Sequence, residues 1–323
     1  MIKHWTAQEL AAMRRMRARF LEGKAGGADY WRLEEDIALY DSTFAERIGW
    51  KWDAVLSELI LRGWAPQSRH VLDWGCGSGV AGRRVIETWP QLASLALHDR
   101  SPLAVRYATA RAQAAWPQLD VRRFETIGPD TLLVLSHVIN ELPERDLAQL
   151  IALARQAREI LWVEAGTHAD SRRLIGLREQ LVPEFTAIAP CTHQRACGLL
   201  TRRNERHWCH HFARPPSEIF QHARWHDWSR EMGIDLRSLP YSFLVLSRDA
   251  PVVPAGCSRI LGEPREFKGH LKVLSCQADG VAELMLQKRD APELYRTVRD
   301  AEGVATFRWQ REGEKIVGGE KLA

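Results

Sequence analysis

The run "VLDWGCGSGVAG", residues 71–82, sets four glycines and one aspartate directly after apolar sequence. Glycine has the most backbone freedom to lose on folding, so this density needs a geometric reason. "HVLDWG" reads as a short strand ending in glycine, and "GVAGRRVIETW" beyond it has helical spacing. In such a strand–turn–helix unit the glycines tighten the turn and admit a ligand against bare backbone at the carboxyl edge of a sheet. The helix N-terminus that follows favours polar or anionic groups. Gly77, Gly79 and Gly82 satisfy the dinucleotide spacing G-x-G-x-x-G. The next strand, "LASLALHD", ends in Asp99, placed to accept hydrogen bonds from ribose hydroxyls of a dinucleotide or of another nucleoside cofactor.

Outward from this turn, strands and helices alternate. "SPLAVRYATARAQAAW" is a helix, "LDVRRFE" a third strand and "TLLVLSHVINELP" a fourth strand with a turn. "ERDLAQLIALARQA" is a helix and "EILWVEAG" a fifth strand. The alternation predicts an α/β fold with a parallel sheet and helices on both faces, over residues 66–185. Residues 1–65 have helical periodicity, broken at "GKAGGADY", and predict an N-terminal helical cap. Residues 186–239 read as a Cys-, His- and Arg-rich segment. Residues 240–323 read as a small β-rich subdomain built from "YSFLVLSR", "GHLKVLSC", "VAELMLQK", "YRTVRD" and "ATFRWQRE", with an OB-like barrel as its candidate topology.

Asp73 inside the first strand, with the D-x-G-C-G-S-G run, resembles motif I of class I S-adenosylmethionine-dependent methyltransferases. That resemblance implies a Rossmann-like methyltransferase sheet. Asp73, Gly75, Cys76, Gly77, Gly79, Asp99 and Ser136 would surround S-adenosylmethionine, with Cys76 filling space in the loop. "SHVINELP" puts Ser136, His137, Asn140 and Glu141 at the carboxyl edge of the fourth strand. His137, Asn140 and Glu141 are the candidate catalytic residues, His137 as a general base or an orienting partner. "NELP" is not the N-P-P-Y of amino-methylating nucleic-acid enzymes, and no cysteine nucleophile stands near it. Methyl transfer itself needs only in-line positioning.

A second concentration of chemistry is "CTHQRACGLLTRRNERHWCHHFARP", residues 191–215, with Cys191, His193, Cys197, Cys209, His210 and His211. Six cysteines in 323 residues are no disulfide scaffold, and a reducing compartment makes clustered thiols metal ligands. The gaps are not the paired knuckles of zinc ribbons. Three cysteines with a remote fourth, Cys257 or Cys276, suit an iron–sulfur cluster, with zinc as the alternative. Arg195, Arg202, Arg203, Arg206 and Arg214 lie among His and Trp side chains and form a candidate RNA surface.

The chain carries formal charge +4 and has no apolar run of the ~20 residues a membrane span needs, so no membrane partner is expected. The pI of about 8.8 leans toward an anionic partner. The N-terminal "MIKHWTAQELAAMRRMRARFLEGK" is arginine-rich like a presequence, but Glu9 and Glu22 favour a structural helix of a cytoplasmic protein, with Arg14, Arg15, Arg17 and Arg19 toward an anionic surface.

Taken together, the motif-I run, "SHVINELP", "WVEAG", "CTHQRAC…NERHWCHHF" and "SRILGEPREFKGHLKVLSC" resemble the small-ribosomal-subunit methyltransferase-like family, known from mitochondria and bacteria. The resemblance implies binding to small-subunit rRNA on the immature subunit during assembly, and a 4Fe-4S cluster. Its ligands would be Cys191, Cys197, Cys209 and Cys276, the last chosen over Cys257 by the family's "GHLKVLSC" segment. An rRNA methyltransferase and a non-catalytic assembly factor both fit this reading. A small-molecule methyltransferase with a structural metal site is the third. The expected location is the cytoplasm in a bacterium and the mitochondrion in a eukaryote, and the expected state is a monomer.

Overall fold

The computed structural model describes residues 4–22, 31–249, 256–301 and 304–322, so the break at "GKAGGADY" lies outside the described residues. Three helices come first: α1 (Ala7–Glu22), α2 (Glu34–Asp41) and α3 (Phe44–Leu61). Alternation follows through β1 (His70–Trp74), α4 (Val80–Thr88), β2 (Ser94–His98), α5 (Pro102–Ala115), β3 (Asp120–Arg123), β4 (Thr131–Ser136) and α6 (Glu144–Ala154). Then come β5 (Glu159–Ala165), α7 (His168–Leu181), β6 (Thr186–Ala189), β7 (His211–Ala213), α8 (Ala223–Met232) and β8 (Leu239–Ser247). The chain ends in β9 (Ser258–Phe267), β10 (His270–Gln277), β11 (Gly280–Gln287), α9 (Pro292–Arg299), β12 (Thr306–Glu312) and β13 (Lys315–Lys321).

Two compact units result. The first holds Met1–Leu56, Pro66–Arg158 and Ala213–Leu239; the second holds Ser57–Ala65, Glu159–Phe212 and Pro240–Ala323. The chain passes between the units after Leu56, Ala65, Arg158, Phe212 and Leu239, so the division falls at the expected 65 and 239 but not at 185. The Cys-rich segment is shared, its cysteines in the second unit and residues 213–239 in the first.

In the first unit the strands lie in the order β3-β2-β1-β4, all parallel. This is an α/β fold with a Rossmann-like sheet. Burial runs unbroken along β4, where Leu132, Leu133, Val134 and Leu135 are all fully buried, as for a sheet covered on both faces. Parallel pairing brings Trp74, His98 and Ser136 to one carboxyl edge. Ser101 starts α5 by accepting from the Ala104 N–H, and Pro102 occupies the first helical turn, where its missing N–H costs nothing. Trp228 of α8 packs edge-on against Phe44, and Trp225 tilts on Trp50.

In the second unit β8 pairs antiparallel with β5 and β6. A closed barrel follows, in the order β10-β11-β13-β12-β9. Its core joins Leu271, Val273, Leu284, Leu286, Phe307 and Ile316 to Leu294, Tyr295 and Val298 of α9. The barrel corrects two expectations from the sequence. "YSFLVLSR" lies in the sheet with β5, outside the barrel. "YRTVRD" forms the end of helix α9 with Asp300 as its cap, the helix being opened by Pro292 and burying one stripe. Strands β9 and β13 have no counterpart among the expected strands.

Candidate functional site

The carboxyl edge of the first unit borders a cavity of about 830 Å³, within the usual size of ligand sites. Gly75 and Gly77 line it with φ of 74° and 52°, the left-handed region where glycine is preferred. A Cβ on Gly75 would meet Val138 Cγ1 at 2.6 Å, whereas one on Gly77 would enter open space. Asp99 lines the same cavity. Its Oδ2 accepts from Gly77 N–H at 2.9 Å and its Oδ1 from Ser101 N–H at 2.8 Å. Burial raises its pKa, against the lowering effect of those two N–H groups and Arg100.

Trp74 lines the cavity as well, whereas Asp73, Cys76, Gly79 and Gly82 stand behind the turn. Asp73 is fully buried and its Oδ2 accepts from Gly82 N–H at 2.9 Å, so it pins the glycine turn to the helix. Gly82 carries no side chain because a Cβ would lie 2.8 Å from that carboxylate oxygen. Gly79 starts α4 against Ala108, and Cys76 is buried with its thiol pKa pushed well up by burial and then by Asp73 and Asp99.

At the end of β4 the cavity wall is Ser136, His137, Asn140 and Glu141. Ser136 Oγ accepts from Trp52 Nε1–H at 3.0 Å, and His137 Nε2 lies 3.3 Å from Lys51 Nζ. His137 has φ 56°, a left-handed conformation uncommon for a residue with a side chain and a frequent mark of functional sites. Burial, then Lys51 and Arg47, hold its imidazole neutral, with a pKa well below the usual value. Glu141 pairs with Arg100 at 3.6 Å.

The second unit contains the other candidate site. Cys191, Cys197, Cys209 and Cys276 line one cavity together with His193, Arg178 and Arg259. The residues come from five places: the segment after β6, the loop before β7, α7, β9 and β10. All six cysteines are free thiols, and Cys257 and Cys76 are not in this wall. Burial pushes the Cys197 thiol up to about 11 and raises those of Cys209 and Cys276 further, with the neighbouring cysteines adding to it. Among the described residues, no three His, Cys, Asp or Glu side chains meet closely enough to hold a single metal ion.

Two arginines that sequence reasoning missed face these thiols. Arg178 donates from Nε to Cys191 Sγ at 3.2 Å and from Nη2 to the carbonyls of His193 and Arg195 at 3.2 and 3.1 Å. Burial opposes its charge, but Cys191 and Glu179 raise its pKa. Arg259 is buried on Glu58, donating to Oε2 at 2.7 Å and also to Oε1. Its Nη2 lies 3.4 Å from His211 Nδ1. A signal for Arg178 was present: it falls at the i+3 and i+4 spacing of Leu174, Ile175 and Leu181, on the apolar stripe of α7.

Of the five candidate RNA-binding arginines, Arg195, Arg202, Arg203 and Arg206 are exposed in the second unit, and Arg214 is exposed in the first. Arg203 pairs with Glu314 at 2.8 Å, and Arg195 reaches the Ala278 carbonyl at 3.5 Å.

No curated protein matches this chain significantly. Among solved structures it is similar to PH1948 from Pyrococcus horikoshii, provisionally assigned as an RNA methyltransferase, at 9% identity and TM-score 0.39, over 61% of this chain and 83% of that one. Thermoplasma acidophilum 1320 is similar at 14% identity and TM-score 0.37, over 61% and 87%. The mitomycin 7-O-methyltransferase MmcR is similar at 16% identity and TM-score 0.34, over 48% and 50%. Likenesses this distant say nothing of activity or substrate. The profile described as mitochondrial small ribosomal subunit Rsm22 matches residues 52–308, from α3 into β12, and so takes in the glycine turn and all four convergent cysteines. The chain belongs to the Rsm22 family.

Proposed function

We propose that this protein binds S-adenosylmethionine, carries a 4Fe-4S cluster on Cys191, Cys197, Cys209 and Cys276, and acts on the small ribosomal subunit by gripping its rRNA during assembly. The observation that carries the reading is the convergence of those four half-buried thiols on one cavity lined also by Arg178 and Arg259. Burial disfavours thiolates, and metal binding is what offsets that cost. A cluster takes four thiolates around a cavity, while a single zinc ion needs its ligands at about 2.3 Å from one point. The two guanidiniums would offset the cluster's negative charge. Family membership supports the association with the small subunit. The family is named for the mitochondrial particle; in a bacterium the corresponding partner is the cytoplasmic one.

In the first unit the residues present fit S-adenosylmethionine, which supplies an electrophilic methyl group. Asp99 would accept from the ribose hydroxyls, and the bare face of Gly77 would lie against the cofactor. His137 stays neutral with Lys51 Nζ 3.3 Å from its Nε2, which suits it to orienting a neighbouring group rather than taking a proton. Methyl transfer itself needs only in-line positioning, so the rRNA methyltransferase reading does not depend on it. We read the barrel as OB-like, with α9 between its third and fourth strands, and as part of the RNA grip beside Arg195, Arg202, Arg203 and Arg206.

The test is anaerobic purification followed by iron, sulfide and zinc analysis. We expect about four irons and four sulfides per chain. Serine at any of the four positions should lose them, and Cys257→Ser should keep them. A colourless protein with stoichiometric zinc overturns the cluster reading. Absence of measurable S-adenosylhomocysteine binding overturns the cofactor reading.

A further inference from the structure

Apart from the end of β4 and α6, the cavity of the first unit has two walls. One is the glycine turn with Asp99. The other belongs to the helical cap: Phe20 of α1, Tyr40 of α2, and Phe44, Arg47 and Lys51 of α3. Arg47 and Lys51 stand four residues apart, so they share one face of the helix. Lys51 is fixed beside His137 at the end of β4. Arg47 is held less firmly: its Nε is buried without a hydrogen-bond partner, and its Nη2 reaches the Ser238 carbonyl only at 3.4 Å. Burial lowers its pKa to about 10, with Asp235 pulling the other way. The cavity's carboxylates are engaged elsewhere, Asp99 by two backbone N–H groups, Glu141 by Arg100 and Asp146 by Arg145.

Aromatic rings line the same wall. Phe20 and Tyr40 are half-buried and meet edge-on at 5.7 Å, while Tyr40 and Phe44 are nearly parallel at 6.2 Å. Paired cations suit an oxyanion, and aromatic faces on the same wall suit a planar ring. A ribonucleotide offers both.

We propose that the cap wall is a nucleotide subsite, in which Arg47 and Lys51 hold a phosphate and the Phe20–Tyr40 pair stacks the base. This rests on the reading of the opposite wall as the cofactor site. The same cations would also suit the cofactor's own carboxylate, and the experiment separates the two sources.

Titration calorimetry on the full chain compares the four ribonucleoside 5′-monophosphates with the four nucleosides, with and without S-adenosylhomocysteine. The phosphate should strengthen binding of at least one base by about tenfold or more, as charge-assisted hydrogen bonds do. Arg47→Met and Lys51→Met should each remove most of that increment, Lys51→Arg should keep it, and affinity for S-adenosylhomocysteine should stay the same. Should a variant melt early, protection of wild-type Lys51 from acylation by the bound monophosphate, read by mass spectrometry, decides instead. No phosphate increment and no protection overturn the proposal. So do variants that weaken S-adenosylhomocysteine instead, which assign the cations to the cofactor's carboxylate. If S-adenosylhomocysteine fails to bind wild type, the cofactor reading falls, while the nucleotide arm without it still decides this one.

Discussion

Gly75 and Gly77 share a left-handed backbone but differ in what lies beyond the α-carbon. An added methyl at Gly75 strikes Val138, and one at Gly77 projects into open cavity. Left-handed strain alone costs about 1–2 kcal/mol at either site. Gly75→Ala should therefore lower stability more, because the clash adds to the strain. Gly77→Ala should weaken S-adenosylhomocysteine out of proportion to its effect on melting. Calorimetric affinity set beside melting temperature checks this, and equal loss of affinity in both variants would count against Gly77 as the contact surface. Asp73 makes a different prediction. Its pKa is raised to about 7, chiefly by burial, so the folded chain keeps a proton that the unfolded chain releases near 3.8. Stability from this group is greatest at low pH and falls as pH rises from about 4 to about 7, by up to about 1.4 kcal/mol per unit. Asp73→Asn still offers an oxygen to the Gly82 N–H and should flatten denaturant-derived stability across that window. An unchanged slope would sink this account.

Among the elements, α7 and the last turn of α3 hold ionised groups out of water. Glu58 accepts from Arg259 and from Arg62 Nε at 2.9 Å, and their pull, against burial, leaves its carboxyl below the usual range. Removing one partner of a buried pair strands the other, at about 3–5 kcal/mol, while an apolar replacement of both is often neutral. Glu58→Met should destabilise by about that amount. Glu58→Met with Arg259→Met should recover part of it in urea titrations, and Arg62, still without its acid, explains why recovery stops short. Element type was legible wherever periodicity was strong, as in β1, β2 and β4. It failed where barrel closure overrode pattern. Gly262 and Pro264 in β9, and Gly318 and Gly319 in β13, are residues that bent or edge strands use and that read as turns in sequence. The burial of β8 without a break from Tyr241 to Ser247 marks a strand inside a sheet, but in sequence it looked like any short apolar run. Arg259 was illegible because its partner Glu58 is 201 residues away. Spacing could not choose between Cys257 and Cys276 either; the register of β10 puts Cys276 opposite Val281 and Arg259, at the cavity.

For the molecule as a whole, the two candidate sites fall in separate compact units, the cavity at the glycine turn in one and the cysteine cavity in the other. The exposed arginines divide likewise, four in the second unit and Arg214 in the first. With net charge of only +4, the proposed rRNA binding would have to come from where cations are concentrated rather than from the overall field. Each arginine on a single-stranded phosphate adds about −0.7 to the slope of log K against log salt. Arg203 remains available for this, because its exposed pair with Glu314 is worth little in water. Replacing Arg195, Arg202, Arg203 and Arg206 together with glutamine should flatten the slope for small-subunit rRNA by about 3. Arg214→Gln should flatten it by about a further 0.7 if one RNA engages both units. Filter binding across a salt series reads both values. Lower affinity at an unchanged slope would mean that these arginines support the fold of the cysteine loop, and that the phosphates are met elsewhere.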